Sequence, residues 1–109
     1  DRAVALQGGD LVWKKLGAKF APVGPDNVVK VNPQLHGGLL IQDVAPDSAA
    51  SKAGFQKGDI LIGLHQWETV NLENVPFVLN HQDLATFAPV RFFLIRGGQL
   101  RRGWLPQMD

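Results

Sequence analysis

Apolar residues recur along the 109-residue chain with two different periods, and the changes of period mark out its elements. Residues 16–22 alternate Leu16, Ala18 and Phe20 with Gly17 and Lys19, the two-residue repeat of a half-buried strand. Residues 39–44 are aliphatic apart from Gln42 and Asp43 and predict a second strand, introduced by the pair Gly37-Gly38. The nearly unbroken apolar run at 60–64 suits a strand covered on both faces, at the centre of a sheet. A short return strand is expected at 67–70. Residues 90–96 place Val90, Phe92 and Leu94 on one face and Phe93 and Ile95 on the other. Gly97-Gly98 fits a two-residue hairpin loop, and 99–105 form the returning strand.

Between these strands the pattern becomes helical or breaks. Residues 1–17 have weak helical character, with Asp10 as a cap and Leu11, Val12 and Leu16 near one face. Pro25-Asp26 opens one or two helical turns over 27–31, stopped by Pro33. Asp47 or Ser48 caps a short helix at 49–53, and Gly54 fits the left-handed position after its end. Asn71 can cap a second helix over 72–82, with Leu72, Val75, Pro76 and Leu79 on one stripe. Pro76 lacks an N–H and belongs in a first turn, which implies a start later than Leu72. Five or six short strands with two to four short helices give an α+β domain, a small partly open barrel or sandwich capped by two main helices.

Composition narrows the function classes. The length suits one domain. Eleven basic against ten acidic residues leave a charge of +1, too balanced for a strong non-specific grip on nucleic acid. Arg91, Arg96, Arg101 and Arg102 cluster late in the chain and are expected to form a solvated face. No apolar run approaches the roughly 18 residues needed to span a bilayer, so direct membrane insertion is not expected. The absence of cysteine removes disulfides, thiolate metal sites and thiol nucleophiles. A start at Asp1 without methionine suggests a piece of a larger protein.

The remaining chemistry is sparse. Ser48 and Ser51 sit in a helix-cap region without a glycine-flanked nucleophile turn. His36, His65 and His81 show no metal-ligand spacing, and Asp43, Asp47, Asp59, Glu68 and Glu73 are scattered over caps and surface positions. No catalytic residue, metal or cofactor is expected. The glycine pair is different. Two adjacent glycines can turn their N–H groups outward into a small anion-binding nest, and the strand after them offers a row of backbone groups to a visiting peptide. No phosphate-loop spacing accompanies the pair, so a carboxylate is the better fit than a nucleotide.

Residues 37–61, Gly-Gly-Leu-Leu-Ile-Gln-Asp-Val-Ala-Pro-Asp-Ser-Ala-Ala-Ser-Lys-Ala-Gly-Phe-Gln-Lys-Gly-Asp-Ile-Leu, resemble the bacterial PDZ pattern, and the resemblance extends over about residues 16–105. Within that family the chain is most similar to the domains that trail the protease domain of HtrA/Deg-type serine proteases. The resemblance divides the chain into a lead-in at 1–15, a PDZ domain at 16–105 and a tail at 106–109. It puts the carboxylate-binding loop on Leu35, His36, Gly37 and Gly38 and the peptide-pairing strand on 39–44, including Leu39, Leu40 and Ile41. The groove helix supplies Leu72, Pro76 and Leu79, which with Leu39 and Ile41 would line a pocket for the last peptide side chain. His36 could add a charge-assisted hydrogen bond to the carboxylate.

The implied function is non-catalytic capture of peptides or unfolded segments with apolar C-termini, for substrate recognition or regulation of an attached HtrA-like protease. The implied setting is the periplasm or cell envelope. Other partners consistent with the resemblance are the chain's own protease domain or neighbouring subunits. Alternatives are an assembly module, or the PDZ domain of a membrane metalloprotease, processing peptidase or secretion component. Three departures stand out: Gly37 at the usual hydrophobic loop position, His65-Gln66-Trp67 in place of an Asn-Gly turn, and Pro76 in the groove helix.

Overall fold

The computed structural model describes residues 12–81 and 89–106. A helical turn at 12–15 leads into β1 (Ala18–Val23), a 3-10 turn (Pro25–Asn27) and β2 (Gly38–Val44). Then come helix α1 (Ala49–Lys52), β3 (Ile60–Leu64), β4 (Trp67–Glu68), helix α2 (Asn74–Leu79) and the hairpin β5 (Arg91–Arg96) and β6 (Gln99–Trp104). The six strands form one antiparallel sheet in the order β1-β2-β3-β5-β6, with β4 pairing on β3. The apolar run of β3 therefore lies centrally, as its pattern requires, with residues 61–64 all buried. The hairpin turns on Gly97 and Gly98, both at positive φ (58° and 79°), the backbone of the two-residue turn that matches strand twist.

Each face of the sheet has its own core. The larger cluster includes Val12, Leu16, Leu39, Ile41, Leu61, Leu64 and Leu94, and α2 adds Val75, Val78 and Leu79. Phe55 meets Phe92 edge-on within it, ring centres 4.8 Å apart. The smaller cluster covers the opposite face, where Val28, Val31 and Leu35 of the β1–β2 connection pack on Ile60, Ile62, Phe93 and Ile95. Val12, expected in the lead-in, is only 6% exposed and belongs to the main core, so the folded unit extends upstream of residue 16. Residues 1–11 and 107–109 of the expected lead-in and tail lie outside the described residues, as does most of the expected 83–89 loop.

The helices follow their caps. Ser48 Oγ accepts from the Ser51 N–H (3.1 Å), and Gly54 takes φ 90° just past the end of α1. The α2 helix starts at Asn74, which puts Pro76 in its first turn, where a missing N–H costs little. Asn71 is not its cap. Glu73 holds that position, and Asn74 Oδ1 instead accepts from the N–H groups of Val70 and Asn71.

Two expectations about charge are corrected. Asp59 is not a surface residue: it is 2% exposed and takes a two-pronged contact from Arg96, Nε to Oδ1 at 3.0 Å and Nη2 to Oδ2 at 2.7 Å. Its Oδ2 also accepts from the Gln56 N–H, and Arg96 Nη2 donates to the Gly54 carbonyl, so the pair pins the α1–β3 turn to β5. Hydrogen bonding to Asp59 holds the Arg96 guanidinium above its ordinary pKa. Nor is Arg91 merely solvated, for its guanidinium lies 4.4 Å from the centre of the Trp104 ring. Replacing Asp59 with asparagine keeps the shape but strands the partly buried cation; a loss of about 2–3 kcal/mol is expected in urea unfolding. A loss below about 0.5 kcal/mol would make the pair an ordinary surface contact.

Candidate functional site

The strand expected to receive a peptide has no edge to offer. Along one side of β2, all of Gly38–Val44 runs against β1, from Val23↔Gly38 to Ala18↔Val44 with one irregularity after Lys19. Along the other, Leu39 and Leu40 pair with Leu61 and Ile60, and the Ile41 N–H donates to the Asp59 carbonyl. Leu39 and Ile41 are at most 1% exposed and point into the main core, while Leu40 is half-buried on the other side. The pocket expected between them and Leu79 is filled core, since Leu79 is also 1% exposed.

The glycine pair is needed for space. Gly37 has φ 154°, and a Cβ there would lie 2.8 Å from the Val23 carbonyl oxygen. At Gly38 a Cβ would come within 2.5 Å of Ile60 Cγ2. The two glycines thus let the β1–β2 connection close against the sheet, and only Gly37 has a positive φ. His36, expected to face a ligand carboxylate, faces one from its own chain: its N–H donates to Glu68 Oε2 (2.7 Å) and its Nδ1 lies 2.9 Å from Glu68 Oε1. Leu35 sits in the smaller core.

Of the expected helix residues, Leu72 precedes α2 and is 50% exposed, and Pro76 is half-buried. Pro76 lines an open cleft of about 490 Å³ along α2 with Phe77, Asn80 and His81, three residues the helix stripe did not select. Phe77 continues into a ring cluster. Trp67 meets it edge-on at 5.2 Å and lies tilted by 34° against His81 at 5.0 Å, and His65 stands 5.4 Å from Trp67. The tryptophan that replaces the usual turn residue therefore packs on the helix.

Among the described residues, the open edge at this end of the sheet is that of β1. Gly17 turns its carbonyl toward β2, where it accepts from the Ala45 N–H (2.8 Å). Strand alternation then points the backbone groups of Ala18, Phe20 and Pro22 outward, away from β2. A proline there leaves no donor unsatisfied, as on other edge strands. Phe20, half-buried, rests on the main core that α2 helps build, and the Val23 carbonyl lies beside Gly37 close to Val70, two residues before Leu72. The N–H groups of Leu16 and Gly17 are both already given to the Val12 carbonyl (2.8 and 2.9 Å).

Comparison with solved structures places this arrangement. Over 86% of its length the chain superposes on 83% of a PDZ domain of HtrA3 bound to a phage-derived ligand (FGRWV), with a TM-score of 0.61 and 21% identity. The fold is a PDZ fold. A second PDZ-containing match is an HtrA-type protease, AlgW, bound to a decapeptide, with a TM-score of 0.56 and 13% identity over 97% of this chain. The chain spans about a third, 34%, of that protease chain. No family model and no curated protein sequence matches. In this PDZ fold no group of three or more His, Asp or Glu side chains among the described residues is placed to hold a metal ion.

Proposed function

We propose that the domain is a non-catalytic peptide-binding module that takes an extended, apolar segment as an added strand on β1. The observation that carries this is the outward-facing backbone of Ala18, Phe20 and Pro22 on an unpaired edge, beside a core shared with α2. Side chains of the guest on the core side would rest against Phe20. The solved structures with this fold, one with a phage-derived ligand and one with a decapeptide, support the reading. Attachment to an HtrA-like protease fits the AlgW match, in which the matched part is about a third of a longer chain, and an envelope compartment belongs to the same proposal. There it would deliver substrate or switch the protease on.

The N–H groups of Leu16 and Gly17, just before β1, are engaged by the Val12 carbonyl, so the site rests on the outward groups of β1 itself and a free C-terminus is not required for binding. Affinity of micromolar order, about 8 kcal/mol, is expected once ordering of the peptide is counted. The test is titration of apolar peptides, as free acids and as amides, followed by amide NMR. Shifts concentrated on residues 18–23, with acid and amide binding within about threefold, are expected. Phe20→Ala removes the half-buried side chain against which the guest would rest, and should weaken binding at least tenfold with β2 resonances intact. Unchanged binding by that variant, or shifts confined to the α2 cleft, would overturn the assignment to β1.

A further inference from the structure

The sheet has a second open edge, and its chemistry is unlike the first. Among the described residues no strand pairs beyond β6. The Leu105 N–H donates to the Val90 carbonyl (2.8 Å), which fixes residue 105 as inward-facing. Alternation then turns the backbone groups of Leu100, Arg102 and Trp104 to the open side. Their side chains share one face, where Leu100 and Trp104 are each 54% exposed. Arg101 stands on the other face, opposite Leu94 across the ladder, and is exposed.

Charge is lopsided here. Residues 91–106 contain four arginines and no acidic residue, whereas the rest of the chain has seven basic against ten acidic side chains. Arg96 is neutralised by Asp59; Arg91, Arg101 and Arg102 form no ion pair with any described residue. Arginines on an edge strand repel a second copy of that strand, since pairing β6 with β6 brings like charges together. The same charges select a guest of opposite sign.

We infer that the β6 edge is a second binding surface, independent of the β1 site, for an acidic segment that adds as an antiparallel strand. The register sets the pattern of the guest. One guest residue opposes Arg102 on the outer face, the next opposes Arg101 on the inner face, and residues two positions to either side of the first oppose Leu100 and Trp104. The guest therefore reads apolar, any, acidic, acidic, apolar.

The probe is the seven-residue peptide Thr-Val-Thr-Glu-Glu-Val-Thr, acetylated and amidated so that neither terminus contributes charge, titrated into the full chain and followed by amide NMR. Expected are shifts at residues 100, 102 and 104, weakening of about tenfold when both glutamates become glutamine, and further weakening between 50 and 300 mM salt. The double variant Arg101→Glu, Arg102→Glu should lose the peptide by at least tenfold while keeping its melting temperature, because both side chains are exposed. Phe20→Ala should bind this probe unchanged. Shifts at 18–23 instead, equal binding of the glutamine peptide, or tighter binding of a single-stranded oligonucleotide of equal length would each overturn the inference. The last would assign the arginines to nucleic acid.

Discussion

Leu39→Ala is expected to destabilise the domain by about 3 kcal/mol, with a fall in melting temperature of more than about 10 °C. Leu39 is fully buried in the main core, where its removal leaves a cavity bounded by rigid strands on both sides. A residue lining an open peptide groove would behave differently. Truncating it would cost less than about 1 kcal/mol of stability and would act on binding. Urea unfolding with parallel peptide titration separates the two, and a stable Leu39→Ala protein that has lost the peptide would restore β2 as the site.

Gly17→Ala should be at least as damaging. Gly17 has φ 85°, a conformation that costs an alanine roughly 1–2 kcal/mol, and a Cβ at that position would overlap Ser48 Cβ and Oγ. Neither partner has room to yield. Gly17 accepts from the Ala45 N–H, and Ser48 Oγ donates to the Ala45 carbonyl (2.7 Å) while capping α1. The expected loss exceeds about 3 kcal/mol. Adding Ser48→Gly to Gly17→Ala clears the overlap and should recover at least about 1 kcal/mol, a positive coupling visible in a double-mutant cycle. Additive losses would show that backbone strain alone sets the cost.

Most of the fold was legible because its signals are local. The alternation at 16–22, the solid apolar run of β3, the Ser48 cap with Gly54 behind it and the Gly97-Gly98 turn each specify their element from neighbouring residues. Pro76 even announced the late start of α2. Strand neighbours are another matter. Nothing in residues 39–44 says which strands flank them, and β2 looked available only because its pairing with β1 depends on contacts across the β1–β2 connection. The glycine pair misled for the same reason: freedom at φ and lack of a Cβ leave the same letter, and here the second property is used against Val23 and Ile60. Nothing local marks Asp59 as buried, because its partner, Arg96, is 37 residues away. The aromatic contacts of Trp67 with Phe77 and His81 join a turn to a helix and were likewise invisible in one-dimensional spacing.

The order β1-β2-β3-β5-β6 puts three strands between the two open edges. Guest strands added outside both edges would lie six strand spacings apart, at most roughly 29 Å, a gap that about nine extended residues can bridge. A single chain with an apolar stretch and an acidic stretch at least that far apart would be gripped twice. Its second attachment would occur at an effective concentration in the millimolar range, so two individually weak contacts would multiply into a long dwell time. Chains with only one of the two stretches, or with both too close together, would leave quickly. A domain with both sites would measure the spacing of segments as well as their composition.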